Sequence, residues 1–105
     1  MLAKKSTRVM IRLSALGDVI LTTGVLSHWR ETLGHDFICI TRRGFAPVYE
    51  NHPAVREIVS LDAESLRGLG WLRTALALAK RFRGYELIDL HGNLRTRILK
   101  LAWMG

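Results

Sequence analysis

The chain has 105 residues, of which 49% are hydrophobic and 2 are proline, so a packed core is available and wholesale disorder is excluded. Its 16 Lys and Arg against 9 Asp and Glu give a net charge of +7, which favours an anionic partner, although a solvated basic surface would give the same balance. A single cysteine excludes an internal disulfide framework, and neither a membrane span nor a secretion signal is evident, so we expect a cytoplasmic protein.

The chain opens with a short apolar run at residues 9–13, which predicts a buried parallel strand. Residues 14–17 form a predicted tight turn, and Asp18 is a suitable N-cap for the helix that follows. Apolar residues then recur at helical spacing from Val19 onward, and Gly34 is a plausible helix stop.

The middle of the chain predicts two further strands, at residues 36–41 and 55–61, separated by a short helix within residues 45–51. Cys39 lies within the first of these apolar runs, so we expect a buried structural thiol and not a nucleophile. Residues 62–70 read as a loop or an irregular helix.

The last part of the chain predicts a long helix at residues 72–82, a fourth strand at residues 87–90 and a turn at residues 91–93. A final helix follows, with a predicted apolar face formed by Leu94, Ile98, Leu101 and Ala102. If this face lacks neighbours, an apolar patch is exposed and the chain self-associates.

Strands that alternate with helices predict the α/β class, with a Rossmann-like parallel sheet flanked by helices. Ligands in such sheets bind at the carboxyl ends of the strands. That rule selects three turns that should meet in space: residues 14–18, 42–45 and 89–95.

The first of these turns, which contains Gly17 and Asp18, matches neither the dinucleotide fingerprint nor the phosphate loop. Gly17 allows a sharp turn and close approach by a ligand. A carboxylate at the helix entrance would repel a phosphate but could accept a proton from a hydroxyl; a plain helix cap is the equally weighted alternative for Asp18.

The other two turns carry cationic and hydrogen-bonding side chains. His91 could bind a sugar hydroxyl or transfer a proton, or simply satisfy local backbone groups, and Asn93 could cap the last helix. Arg43 and Arg95 suit contacts to carboxylate or phosphate, with solvent exposure as the alternative. The four histidines have no metal-ligand spacing, so we expect no metal site.

Four segments resemble glycosyltransferase family 9, which contains the ADP-heptose:lipopolysaccharide heptosyltransferases: residues 9–23 (VMIRLSALGDVILTT), 42–47 (RRGFAP), 51–55 (NHPAV) and 89–97 (DLHGNLRTR). The resemblance implies a GT-B fold and inverting, metal-independent transfer of heptose from ADP-heptose to a lipid A–Kdo type acceptor at the inner membrane, without a cofactor. It assigns the general base to Asp18.

On the same resemblance, residues 1–105 would be an incomplete acceptor-side domain, and the nucleotide-sugar domain would be absent. We therefore expect the chain alone to be inactive. The substrate contacts that we expect come from eight residues: Ser14, Gly17, Thr22, Arg43, His91, Gly92, Asn93 and Arg95.

The alternative function is a stand-alone Rossmann-like module that binds an anionic sugar or nucleotide without chemistry. Nucleic acid is not an expected partner, because the chain contains no helix-turn-helix, RNP-like or zinc signature.

Overall fold

The computed structural model describes residues 7–13, 16–90 and 94–104, and it has the predicted α/β architecture. Ser14, His91, Gly92 and Asn93 lie outside the described residues. Four parallel strands form one sheet in the order β3-β2-β1-β4. Their bounds are Thr7–Ile11 for β1, Asp36–Arg42 for β2, Val55–Leu61 for β3 and Glu86–Asp89 for β4.

Helices connect the strands and cover the sheet. They are α1 (Leu16–Leu33), α2 (Ala46–Tyr49), α3 (Gly68–Arg81) and α4 (Leu94–Met104), with 3-10 turns at Arg43–Phe45 and Glu64–Leu66. The helix α1 ends where predicted, because Gly34 has a φ of 70° and donates its backbone N–H to the Arg30 carbonyl.

The two central strands, β1 and β2, are largely apolar and buried because both faces of the sheet are covered, as is usual for parallel sheets, whereas the edge strands β3 and β4 carry charged residues. On one face Val9 and Ile11 of β1 pack with α3 and α4, where Trp71 and Leu99 are buried. On the other face Met10 packs with α1 and α2, which contribute the buried residues Val19, Leu26 and Tyr49. Successive residues of β1 therefore enter different cores.

The predicted first strand, residues 9–13, is wrong by two residues at each end. Leu13 is buried although β1 ends at Ile11, so the apolar pattern extends two residues beyond the strand. At the other end Thr7 is a buried polar residue of the strand, and its hydroxyl donates a hydrogen bond to the Asp36 carboxylate. As a result, Arg12 lies just past the strand and not within it.

Two further sequence predictions need correction. The helix α1 begins at Leu16, so Asp18 occupies the first helical turn and is not the N-cap. The predicted apolar face of α4 is wrong at Leu101, which is 71% exposed, whereas Leu99 is buried in its place. Cys39 is buried as predicted, and burial raises the pKa of its thiol to about 12.

Candidate functional site at the carboxyl edge of the sheet

The strand order places a crevice between β1 and β4. From β1 the chain proceeds to β2 and then β3 on one side, and it returns to place β4 on the other side of β1. In open parallel sheets such a reversal of direction separates the loops at the carboxyl ends of the two strands, and ligands bind there. We call this region the β1–β4 crevice; Arg12 follows β1 and Leu90 follows β4 at its floor.

Arg12 joins the two sides of the β1–β4 crevice. Its Nη2 lies 2.7 Å from Oδ2 of Asp18, and its Nη1 donates a hydrogen bond to the Leu90 carbonyl. The backbone supports the same arrangement, because the Leu90 N–H donates to the Ile11 carbonyl at 3.2 Å and the Arg12 N–H donates to Ile40 at 3.1 Å. One guanidinium therefore connects the end of β1, the first turn of α1 and the end of β4.

The Asp18 carboxylate is held at this edge without being buried. Its side chain is 55% exposed, against 18% for Arg12. An acidic group in the first turn of a helix is also favoured by the unpaired backbone N–H groups at the helix start. Among the described residues, Oδ1 of Asp18 has no partner, so one carboxylate oxygen is fixed by Arg12 and the other can accept a hydrogen bond from a ligand.

Gly17 and Thr22 flank Asp18 on α1 in different environments. Gly17 is exposed, and a Cβ built on it would meet no described atom within 4 Å. Its backbone is helical, so the sharp turn that Gly17 was predicted to allow does not occur at Gly17, and close approach by a ligand stays a prediction. Thr22 is buried, and its hydroxyl donates to the Asp18 carbonyl at 2.8 Å. Substrate contact by Thr22 stays a prediction.

The start of α4 reaches the same edge through Arg95. Its Nε donates to the Leu66 carbonyl at 2.8 Å, while its own carbonyl accepts a hydrogen bond from Nε1 of Trp71 at 2.9 Å. Arg95 therefore ties α4 to the loop after β3, and a substrate contact by Arg95 stays a prediction. Asp89, which ends β4, is almost buried, and one of its oxygens lies 4.0 Å from Nζ of Lys100.

A second concave region lies beside the first, at the carboxyl ends of β2 and β3. It is a cavity of about 260 Å³ lined by eight residues: Arg42, Arg43, Gly44, Phe45, Leu61, Asp62, Ala63 and Leu66. We call it the β2–β3 cavity. Arg43, a predicted substrate contact, is exposed at its margin. The pKa of Asp62 is lowered chiefly by the backbone hydrogen bond from Ser65 and, to a smaller degree, by the charge of Arg43.

The structure thus brings two of the three predicted turns into contact through Arg12 and Leu90, and it places the third turn one strand away. The ion pair between Arg12 and Asp18 was not predicted. The only signal in the sequence was a charged residue within the predicted strand at residues 9–13, and its partner could not be named because that depends on how α1 leaves the sheet. Asp62 was not predicted to line a cavity, since residues 62–70 were predicted only as a loop or an irregular helix.

Neither a metal centre nor a membrane span is evident in the described part of the chain. No three of its His, Cys, Asp and Glu side chains cluster as metal ligands would. None of its helices combines the length and the apolar character needed to cross a bilayer.

Comparison with solved structures shows a similarity to a known protein. A solved structure, "The crystal structure of the glycosyl transferase family 9 from Veillonella parvula DSM 2008", matches with a TM-score of 0.78 and 27% sequence identity over 92% of this chain. The chain is similar to a family 9 glycosyltransferase. The family 9 likeness extends to sequence as well as fold and supports the interpretation of the four sequence segments. The chain spans 29% of the length of that protein. No protein-family model matches the chain, and no curated protein does.

Proposed function

We propose that this chain is the acceptor-binding part of a family 9 glycosyltransferase, in which Asp18 is the general base. The observation that carries the proposal is the half-exposed Asp18 carboxylate in the β1–β4 crevice, with one oxygen fixed by Arg12 at 2.7 Å. The family 9 neighbour supports the glycosyltransferase class. Heptose as the sugar, ADP-heptose as the donor and a Kdo-containing inner-core acceptor come from the sequence resemblance and are part of the proposal.

The proposed reaction assigns the chain a limited set of tasks. An acceptor hydroxyl would donate a hydrogen bond to Oδ1 of Asp18 and lose its proton to that carboxylate as its oxygen attacks the anomeric carbon. The bond between the anomeric carbon and the diphosphate oxygen breaks, ADP departs with the electron pair, and attack from the opposite face inverts the configuration. Arg12 would keep the carboxylate in place, which matters because misplacement of a catalytic group is costly.

Stabilisation of the leaving diphosphate belongs to groups that we propose lie in a separate donor-binding domain. Because such electrostatic stabilisation is usually the largest contribution to catalysis, the 105-residue chain by itself should not turn over. The basic surface expected from the charge of +7 would attract an anionic acceptor at the cytoplasmic face of a membrane.

A transfer assay tests the proposal when the chain is fused to the donor-binding domain of a family 9 heptosyltransferase. With ADP-heptose and a Kdo-lipid A acceptor, Asp18→Asn should lower kcat by about 10²–10⁴-fold relative to the unaltered fusion. Glu31→Gln is the matched control, because Glu31 is an exposed acidic residue at the far end of α1. An Asp18→Asn fusion that keeps its rate would remove Asp18 from the role of base.

A stand-alone binding module is the second candidate, favoured by the apolar cores that cover both faces of the sheet. Calorimetry on the unfused chain separates the two candidates. Binding of the Kdo-containing acceptor supports an acceptor domain, whereas binding of a free nucleotide with no affinity for that acceptor supports the module.

A further inference from the structure

We propose that the β2–β3 cavity binds a single oxyanion, a phosphate or a carboxylate, carried by the same substrate whose hydroxyl meets Asp18. This inference deepens the proposed function and rests on it for the identity of the substrate. The size of the cavity is the first argument. At about 260 Å³ it lies just below the usual range for a complete small-molecule site, so it suits one substituent of a larger ligand.

The state of Arg42 is the second argument. This residue ends β2, its side chain is half-buried, and its Nε is buried without a hydrogen-bond partner among the described residues. Buried guanidinium donors are normally satisfied, because an unpaired one loses its hydration without compensation. An oxyanion in the cavity would give Arg42 the acceptor that it lacks, in the bidentate geometry that suits phosphate and carboxylate.

The charge balance around the cavity is the third argument. Its lining carries two guanidinium groups, from Arg42 and Arg43, against the single carboxylate of Asp62. That carboxylate is used by its own loop, since it accepts the Ser65 N–H at 2.9 Å. Within the described part of the chain, neither arginine forms an ion pair at 4.0 Å or less. The cavity therefore has an excess of positive charge, and the apolar side chains of Phe45, Leu61 and Leu66 complete its lining.

The position of the cavity links it to the β1–β4 crevice. Neighbouring strands lie about 4.8 Å apart, so the ends of β2 and β3 are displaced about 5–10 Å along the edge from the end of β1. If the reacting hydroxyl of a substrate lies at Asp18, a charged group of the same substrate would reach the cavity when it is one or two strand spacings away from that hydroxyl. The cavity would then select acceptors by the distance between that hydroxyl and their anionic group.

Titration of the 105-residue chain with small anions tests the inference without any transfer reaction. Inorganic phosphate and acetate are added separately at constant ionic strength, and the Nε–Hε signals of the arginines are followed by NMR. We expect a saturable shift of the Arg42 signal, with a dissociation constant on the order of millimolar. Saturation by phosphate alone would indicate a phosphate ligand, saturation by acetate alone a carboxylate, and saturation by both a general oxyanion site; each supports the inference.

Three variants make the titration decisive. Arg42→Lys keeps the charge but loses the planar fork, so affinity should fall about 10-fold. Arg43→Lys makes the same kind of change at an exposed position of the cavity, so it provides a second test variant that should fold even if Arg42→Lys does not. Arg30→Ala, which removes a charge from an exposed site in the last turn of α1, should leave the affinity unchanged.

Shifts that never saturate, or an equal loss of affinity in Arg30→Ala, would overturn the inference, because they would indicate attraction to net charge. The outcome is separable from that of the proposed function. Saturable binding at Arg42 together with an Asp18→Asn fusion of full activity would leave the anion site intact and refute only the base.

Discussion

Replacing Arg12 by alanine should destabilise the chain by about 2–4 kcal/mol. The change removes a charge-assisted hydrogen bond to the Leu90 carbonyl, which is worth about 1.5–3 kcal/mol. It also removes the ion pair with Asp18, which is worth about 0.2–1 kcal/mol because that carboxylate is 55% exposed. Asp18→Asn should therefore cost less than about 1 kcal/mol, so the two partners of one ion pair should have unequal effects.

Urea unfolding followed by tryptophan fluorescence measures both changes. With a slope of about 1–3 kcal/mol/M, Arg12→Ala should lower the midpoint by about 1–4 M. Arg30→Ala, which removes an exposed charge, should shift it little. The coupling between Arg12 and Asp18 in a double-mutant cycle should weaken at high salt. A loss for Asp18→Asn equal to that for Arg12→Ala would refute the view that Arg12 connects β1 to β4.

Three further outcomes follow from burial and space in the fold. Because burial raises the pKa of Cys39 to about 12, the thiol of the folded chain should react with iodoacetamide at pH 8 about 10³-fold more slowly than the thiol of the unfolded chain. The contribution of the buried thiol to the free energy of unfolding should be complete below about pH 9 and should decline as the pH rises toward 12. The variant Cys39→Ala should reduce that decline. Gly70→Ala should lower the free energy of unfolding in urea by about 1–3 kcal/mol, since the new Cβ would lie 2.4 Å from the Glu64 carbonyl oxygen. Gly24→Ala, in open helical surroundings, should raise the free energy of unfolding by about 0.5–1 kcal/mol. Equal effects of the two substitutions would contradict the packing described. Gly17→Ala, at a position that is also helical and in open space, should not lower the unfolding midpoint but should weaken acceptor binding in calorimetry, and unchanged binding would mean that no ligand approaches there.

Most of the fold could be predicted because its local signals agree. The strand Val55–Leu61 was predicted at its true bounds, and Gly34 does end α1 with a positive φ. Boundaries failed where a buried residue continues the pattern beyond its element, as Leu13 does after β1. The pattern of apolar residues in the sequence reflects burial and not hydrogen bonding, so it could not predict where that strand ends.

The arrangement of the site was less accessible to sequence reasoning. The rule that ligands bind at strand ends correctly grouped the first and last turns, since Arg12 and Leu90 are 78 residues apart and still in contact. Which carboxylate Arg12 would meet depends on the strand order and on the start of α1, and neither is encoded in a local pattern. The β2–β3 cavity was not predicted because its lining combines Arg42, at the end of β2, with Asp62, which follows β3, and no local pattern shows that the two residues come together.

The exposed apolar residues are distributed over several helices. Leu21 on α1, Leu69 and Leu76 on α3, and Leu101 on α4 are each more than half exposed. Self-association through such surface stays a prediction, and sedimentation at increasing concentration measures it.

The central claim is that an acceptor hydroxyl meets the Asp18 carboxylate in the β1–β4 crevice. The most direct measurement is the distance between these groups in a crystal structure of the fusion with its Kdo-containing acceptor and an unreactive analogue of the donor. We predict that the attacking oxygen lies about 2.6–3.2 Å from Oδ1 of Asp18, with Arg12 still bound to Oδ2. An acceptor seated at another edge of the sheet, or a hydroxyl that faces a different base, would contradict it.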